Sequence, residues 1–170
     1  MDSNFYSQLN YEEMLRKNMG LISVVSKTPV RDKNSLALVY TPGVGASCKE
    51  IQKNSQKALV YTNKLNSMLV ITDSTALKKY SPNKTNNMAA IPYVEATAAY
   101  YKTIANIDCY PLVIDYSVLT SGKELAELVK AIMPGFSLIE LLGIEETRLE
   151  EFRNDYPNFK NRTAEFKVYK

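Results

Sequence analysis

Three short apolar runs in the second half of the chain constrain its fold most. They span residues 68–72, 110–115 and 136–142 and consist largely of Leu, Ile and Val, as strands buried in parallel sheets do. The stretches between them place apolar residues three and four positions apart, which is the spacing of an amphipathic helix. Alternating strands and helices imply βαβ crossovers and a sheet covered on both faces. We therefore predict an α/β fold, a three-layer sandwich with a mostly parallel sheet.

The helix signals in this half of the chain are clear. Pro92 suits the first turn of a long helix that runs to about Ala105, because the N–H that proline lacks would be unpaired there anyway. A second helix opens with residues 121–124 and ends at the Pro-Gly pair 134–135, and a third spans residues 145–154. The residues expected to face the core are Val94, Ala98, Tyr101, Ala105, Leu125, Leu128, Val129, Ile132, Leu149 and Phe152.

The first half of the chain is patterned less strongly, and we predict that N-terminal helices precede the sheet. The first predicted elements are a helix over 10–17 with Asn10 as its N-cap and a strand or extended arm over 21–25. A polar connection over 32–35 and a short helix or extended segment over 36–40 follow. Two further helices are predicted over 46–53 and 55–63, and Ser55 is the N-cap of the second. Residues 78–87 are polar and rich in breakers, which predicts a loop.

The length of the chain, 170 residues, suits one domain with its own hydrophobic core. We assign residues 1–155 to this domain and residues 156–170 to a C-terminal tail. The tail mixes basic residues with the aromatic residues Phe159, Phe166 and Tyr169. Such a tail could stack on nucleic-acid bases, but we expect it to dock on its own or a partner's surface.

The charge balance argues against a nucleic-acid partner. With 21 basic and 18 acidic residues the net charge is +3, which is too small for such binding. We expect a protein partner, in a homo- or hetero-oligomer or a larger assembly, and no membrane, because no apolar run approaches a bilayer span. The two cysteines, Cys48 and Cys109, lack a secretory context, so we predict reduced core thiols in an intracellular protein, cytoplasmic rather than mitochondrial.

The chain contains no histidine, which removes the commonest general base and the commonest metal ligand. Any chemistry would have to use Tyr, Lys and carboxylate groups. The best candidate is Tyr40, because the Pro-Gly turn at 42–43 makes a rigid corner beside it. From the residues alone, Tyr40 is either a core aromatic residue or a general acid.

A series of motifs gives the chain a family resemblance. The motifs are SKTPV at 26–30, LALVYTPGV at 36–44, CKEI at 48–51, VITDSTA at 70–76 and IDCYPL at 107–112. In this order and spacing the chain resembles the N-terminal domain of malic enzymes, with matches from about residue 20 to residue 148. The resemblance implies that domain's fold. A larger domain that binds the nicotinamide cofactor follows it in malic enzymes.

The resemblance also implies which residues the reaction takes from this domain. A Lys on the long helix serves as the base, a Tyr protonates the enol, and a Glu-Asp pair helps to hold a divalent metal. Tyr40 matches the Tyr of the family, but Thr97 stands at the position of the Lys. A threonine hydroxyl has no useful acid-base equilibrium near neutral pH and cannot replace an amine.

At least one of the two metal-ligand positions carries no side-chain oxygen. An ungapped match of residues 134–148 to the family segment places Leu142 and Gly143 there, and a two-residue shift places Glu140 and Leu141 there instead. The glycine-rich segment of the family is replaced by residues 78–82, and no Gly-rich dinucleotide fingerprint occurs. We therefore expect no metal and no cofactor, and only a relic of the proton donor in Tyr40.

These losses favour a degenerate, stand-alone malic-enzyme-like domain, a pseudoenzyme that acts as a structural or binding subunit of a larger assembly. A first alternative is one chain of a split or hetero-oligomeric malic enzyme that converts malate to pyruvate, with the cofactor domain supplied by another chain. A second is a dicarboxylate sensor, in which residues 72–75 at a strand end offer hydrogen bonds to a ligand.

Overall fold

The computed structural model describes residues 3–9, 11, 15–76 and 87–159, and these form two compact units. The smaller unit is Ser23–Asn66, and the larger contains the described residues of Met1–Ile22 and Ser67–Lys170. Among the described residues, no helix has the length and apolar character required to cross a bilayer.

The larger unit is built on three parallel strands, β1 (Ser67–Thr72), β2 (Asp108–Val113) and β3 (Leu138–Leu141), in the order β2-β1-β3. All six residues of the central strand β1 are buried, as its apolar sequence predicts. Strand β2 is only partly buried because it lies at an edge, and its Pro111 occupies the kind of strand that tolerates proline. The predicted α/β fold with a parallel sheet is confirmed.

The helices of both units, in chain order, are α1 (Ser3–Leu9), α2 (Arg16–Asn18), α3 (Lys33–Val39), α4 (Val44–Lys53), α5 (Ala58–Tyr61), α6 (Ile91–Ala105), α7 (Gly122–Ile132) and α8 (Glu146–Asp155). Short 3₁₀ turns lie at Ser55–Lys57, Asn63–Asn66, Asn87–Ala90 and Met133–Gly135. Helices α3, α4 and α5 belong to the smaller unit.

The two faces of the sheet carry separate cores, because successive side chains of a strand point to opposite faces. On one face Met68 and Val70 pack with Val94 of α6. On the other face Leu69 and Ile71 of the same strand join the apolar residues of α7 and α8, among them Leu125, Val129, Leu149 and Phe152. These helix and sheet layers form the predicted three-layer sandwich.

Helices α6, α7 and α8 agree with the sequence in their bounds and mostly in their faces. Helix α6 carries Pro92 in its first turn and ends at Ala105 as predicted, but Ala105 is exposed. Helix α7 begins with a capping box, in which Ser121 accepts from the Glu124 N–H and the Glu124 carboxylate accepts from the Ser121 N–H. The box explains why the predicted start of α7 is confirmed.

The first half of the chain departs from several predictions. Helix α1 was not predicted. Asn10, the predicted N-cap of the helix over 10–17, lies outside the described residues, as do residues 78–86 of the predicted loop. Residues 22–26 have no regular secondary structure, so the strand that was one of the two interpretations is not formed.

The smaller unit corrects three further predictions. Residues 32–35 are not a connection, because the Asp32 carboxylate caps α3 by accepting from the Ser35 N–H at 2.7 Å. The turn at residues 55–57 is capped by Asn54, whose side chain accepts from the Gln56 N–H at 3.0 Å, and not by Ser55. Cys48 is exposed rather than in the core, and Cys109 is half-buried.

Candidate functional site

The carboxyl ends of β1 and β3 form the edge of the sheet where open α/β folds place ligands. Leu142 follows β3 directly, and its N–H donates to the Ile71 carbonyl at 2.8 Å. The Gly143 carbonyl accepts from the Ala76 N–H at 3.0 Å. Leu142 and Gly143 therefore lie at this edge, which we call the ligand edge, whereas Glu140 and Leu141 lie within strand β3.

Neither residue at this edge offers a ligand for a cation. The Leu142 side chain is apolar and only 4% exposed. Gly143 has φ +64°, a conformation that side-chain-bearing residues rarely adopt, and a Cβ atom at this position would lie 3.3 Å from the Thr72 Oγ1 atom. A side chain at position 143 would therefore be strained and would crowd the Thr72 hydroxyl.

The loop after β1 is a closed network of hydrogen bonds. The Asp73 Oδ1 atom accepts from the Thr75 N–H at 2.9 Å and from the Thr75 hydroxyl at 2.6 Å. The Ser74 N–H donates to the Thr72 hydroxyl, and the Thr75 hydroxyl accepts from the Glu145 N–H. All of residues 72–75 are buried. Their polar groups are directed at one another or at neighbouring backbone rather than at an open pocket.

A buried ion pair completes this network. The Arg148 Nε atom lies 3.0 Å from the Asp73 Oδ2 atom, and the two side chains are 10% and 0% exposed. The two atoms are close but are not aligned for a hydrogen bond, so we treat the contact as electrostatic. The guanidinium group also donates to the carbonyls of Leu119 and Thr120. Arg148 thereby joins α8 to the loop before α7 and to the loop after β1.

Backbone strain at Ser74 yields a testable prediction. Ser74 is buried with φ +65°, which costs a non-glycine residue about 1–2 kcal/mol. Its hydroxyl makes only a 3.3 Å hydrogen bond to the Asn87 carbonyl. We expect Ser74→Gly to raise the free energy of unfolding by about 0.5–1 kcal/mol in urea titrations, because the strain relieved exceeds the hydrogen bond lost.

The matched control is Ser67→Gly. Ser67 is also buried, and its hydroxyl also donates to a carbonyl, that of Gly135, at 3.3 Å, but it lies in extended strand β1. This variant should lower the free energy of unfolding by about 1 kcal/mol. If both variants were destabilised alike, the strain assigned to Ser74 would be wrong.

Glu140 is a buried carboxyl group on the α6 face of the sheet. It is 3% exposed, and its Oε2 atom has no hydrogen-bond partner among the described residues. Burial raises the pKa of Glu140, while the hydrogen bond with Tyr101 opposes the shift. Burial, and then the nearby Glu140 carboxylate, raises the pKa of Tyr93 and of Cys109 to about 12. The structure therefore places Glu140 in an apolar layer and not at the ligand edge.

The raised pKa of Glu140 predicts a pH dependence of stability. A carboxyl group with a raised pKa stabilises the folded state below the pKa of the unfolded chain, and this contribution is lost as pH rises through the folded-state pKa. The free energy of unfolding should therefore gain more from Glu140→Gln at pH 8 than at pH 5, by about 1.4 kcal/mol for each unit by which the folded-state pKa exceeds 5.

Urea unfolding of the original chain and of the Glu140→Gln variant, each at pH 5 and at pH 8, measures this difference. The control is Glu150→Gln, because Glu150 is exposed on α8 and its replacement should have the same small effect at either pH. An equal effect of Glu140→Gln at pH 5 and pH 8 would show that Glu140 titrates normally.

Thr97 lies inside α6, whereas Tyr40 is the C-cap residue that follows α3. The half-buried Thr97 hydroxyl donates to the Tyr93 carbonyl at 3.0 Å, one turn earlier in α6. Tyr40 ends α3 within the smaller unit, and its N–H donates to the Leu36 carbonyl at 2.9 Å. Tyr40 is 67% exposed, so it is not the core aromatic residue that was one of the two interpretations. The following Thr41–Pro42 bond is cis.

Comparison with known proteins decides the family. A sequence profile described as "Malic enzyme, N-terminal domain" matches residues 19–127, well over half of the chain. The chain belongs to the malic enzyme N-terminal domain family. It is 37% identical over 142 residues to NAD-dependent malic enzyme 1 of Bacillus subtilis (strain 168), an alignment that covers 79% of this chain and 31% of the relative.

Solved structures of malic enzymes agree with this assignment. The malic enzyme from Pyrococcus horikoshii superposes with a TM-score of 0.70 and 28% identity, covering 78% of this chain and 30% of that chain. The NAD-dependent malic enzyme from Thermotoga maritima gives a TM-score of 0.75 at 24% identity, which shows a shared fold, and covers 93% and 38%. The chain thus spans about a third of the length of these relatives.

The site of this malic-enzyme-like domain does not fit the family's divalent metal. Leu142 and Gly143 supply no side-chain oxygen at the ligand edge. Within the ranges that the structure describes, no group of three or more His, Cys, Asp or Glu residues could hold a metal ion. Hard cations require carboxylate or other oxygen ligands, so no metal-dependent step is derived from these residues.

Sequence reasoning missed Arg148 as a member of this malic-enzyme-like site. A signal for it exists in the helical pattern, because Arg148 lies four residues before the inward-facing Phe152 and therefore on the same face of α8. A charge on a core-facing stripe requires a buried partner. Its partner is 75 positions away at Asp73, which no local pattern indicates.

Proposed function

We propose that this chain is a catalytically inactive malic-enzyme-like domain that works as a structural or binding subunit of a larger protein assembly. The observation that carries the proposal is the edge of the sheet, where the metal-ligand positions are a buried leucine and a glycine with positive φ. Thr97 adds to it, since its hydroxyl bonds to the helix backbone and cannot serve as a basic amine. This chain therefore lacks the residue that acts as the base and the residues that hold the metal in the family reaction.

The binding role is supported by the surface of the smaller unit. None of the residues of Ser23–Asn66, all of which the structure describes, is buried. Large apolar side chains are exposed there by more than half, namely Val24, Val25, Val30, Leu38, Tyr40, Val60 and Leu65. Exposed apolar surface of this kind marks protein interaction sites.

An assay of the purified chain with malate, Mn²⁺ and either NAD⁺ or NADP⁺ tests the loss of activity. We expect no turnover above that of a buffer control. Turnover that Tyr40→Phe abolishes would overturn the proposal, because Tyr40 is the one retained residue of the family chemistry. Turnover that survives Tyr40→Phe would identify a contaminating enzyme.

The binding role has its own test. Size-exclusion chromatography of a native extract, followed by antibody detection of this chain, should place it in a complex larger than 19.2 kDa. Substitution of Val60 and Leu65 by serine should return it to the size of the free chain. Substitution of the exposed polar residues Gln52 and Gln56 by serine is the control and should leave the complex intact. Elution of the unmodified chain as a monomer would contradict the binding role.

The retained Tyr40 favours one alternative, a subunit of a split or hetero-oligomeric malic enzyme. It is exposed on a turn that keeps the YTPGV sequence. The partner would then have to supply the amine, the metal ligands and the cofactor domain. An assay of malate oxidation by the isolated complex tests this alternative. Activity that falls when the Tyr40→Phe variant replaces the original chain in the complex would support the alternative. The dicarboxylate sensor has no such support, because residues 72–75 are buried in their own network, and malate should give no thermal shift.

A further inference from the structure

An aromatic cluster forms the end of the described chain. Phe152 of α8 lies with Tyr156 and Phe159, with ring centroids 6.1 Å and 5.1 Å from the Phe152 ring and 5.3 Å between the other two. The Tyr156 hydroxyl contacts the Met133 sulfur at 3.4 Å, and the Lys130 ammonium lies 5.1 Å from the centre of the Tyr156 ring. The cluster therefore packs against α7 and the turn that follows it.

Two concave spaces flank this cluster, and both include Tyr156 and Phe159 in their walls. One, of about 250 Å³, opens towards the start of β3 beside Phe136, Leu138 and Ile139. The other, of about 380 Å³, opens along α8 beside Leu141, Leu149 and Phe152. We call the two spaces together the aromatic groove. An apolar space of about 150 Å³ is large enough to hold a benzene ring, so each half can take an aromatic side chain.

The chain itself supplies suitable side chains immediately beyond the groove. Phe159 belongs to the walls, and the next eleven residues read KNRTAEFKVYK. Phe166 and Tyr169 lie seven and ten residues beyond Phe159, and an extended chain reaches about 3.3 Å per residue. The tether is therefore long enough to return both rings to the groove. A tethered segment also binds at a high effective concentration.

The charges of the two partners are complementary. Residues 160–170 carry four basic residues, Lys160, Arg162, Lys167 and Lys170, and a single acidic one, Glu165. Residues 145–155, which form α8 and its cap, carry five acidic residues, Glu145, Glu146, Glu150, Glu151 and Asp155, against two arginines. Glu146 is paired with Arg153, which lines the groove, and Asp155 is paired with Lys130. The helix still keeps a net negative charge, which attracts the basic segment when its rings enter the groove.

We propose that residues 160–170 bind back onto the aromatic groove of the same chain, with the rings of Phe166 and Tyr169 in its two halves. The segment then covers apolar surface next to β3 and α8. This inference concerns the larger unit and does not depend on the proposed function, whose exposed apolar residues lie in Ser23–Asn66. An experiment that contradicts one of the two proposals would therefore not affect the other.

Hydrogen exchange of the full-length chain tests the proposal, read by mass spectrometry over residues 133–139 and 149–159. The test variant replaces Phe166 and Tyr169 with serine, and the control replaces Lys160 and Asn161 with serine in the same segment. We expect exchange in both regions to accelerate by about tenfold in the test variant and to change much less in the control, because the apolar cover is lost only in the first.

Two outcomes would overturn the proposal. Unchanged exchange in the test variant would show that the rings do not cover the groove. Protection from exchange that weakens when the protein is diluted 100-fold would show that the segment of a second copy occupies the groove. Binding within one chain does not depend on the protein concentration. Exchange over residues 67–72 of the central strand should be the same in all variants and reports that each of them is folded.

Discussion

Replacement of Gly122 by alanine is expected to lower the free energy of unfolding by about 3 kcal/mol or to prevent folding. Gly122 is the first residue of α7, where this helix meets α8 at backbone distance. A Cβ atom on it would lie 2.2 Å from the Arg148 carbonyl oxygen and 2.6 Å from the Phe152 nitrogen. Both are main-chain atoms, which cannot move aside as a flexible side chain can. The two helices would have to separate.

The control for this prediction is Gly135→Ala. No heavy atom lies within 4 Å of a Cβ placed on Gly135, so the change should stay within about 0.5 kcal/mol. The sign of the Gly122 effect is informative, since alanine is a better helix former than glycine and would stabilise α7 if nothing opposed it. Urea titration followed by circular dichroism measures both variants. An unchanged or raised stability of Gly122→Ala would refute the close contact of α7 with α8.

The second large effect is expected from Arg148→Met, which should cost about 3–5 kcal/mol of unfolding free energy. The substitution keeps most of the volume of the side chain but leaves the fully buried Asp73 carboxylate without its cation. It also removes the donors that reach the carbonyls of Leu119 and Thr120. The loss is therefore larger than that of an ion pair in water.

A double-mutant cycle separates these two causes. Asp73→Asn in the Arg148→Met background removes the unpaired charge, so part of the lost stability should return and the two effects should not add. Arg153→Met is the control, because the Arg153–Glu146 pair is exposed and should contribute less than about 1 kcal/mol. Additive effects of the two buried substitutions would show that Asp73 and Arg148 do not interact.

The core of the fold is predictable from the sequence because its signals are local and agree with one another. Residues 68–71 are apolar without interruption and lie in the central strand, and Ser121 with Glu124 is a capping pair that fixes the start of α7. The start of helix α3 was missed because the sequence DKNS reads as a turn, whereas the short helix that was one of the two interpretations of residues 36–40 corresponds to its second half. Its cap combines Asp32 with a serine, Ser35, where a glutamate or glutamine is the usual signal.

The candidate site was predicted only in part. The family resemblance placed Leu142 and Gly143 at the metal positions, and the structure puts them at the carboxyl edge of the sheet. The pairing of Asp73 with Arg148 could not be predicted, since it depends on how α8 packs. The positive φ of Ser74 was hidden for a different reason, because serine has no preference for that conformation and only the surrounding fold imposes it.

The lack of buried residues in Ser23–Asn66 has a consequence for the life of the chain in the cell. A segment of this length with no core of its own gains little from folding and opens often. Proteases cleave such segments from their open state, at a rate set by how often it is populated. On the proposed binding role, we expect this protein to accumulate only to the level at which a partner covers the segment, with the excess copies degraded.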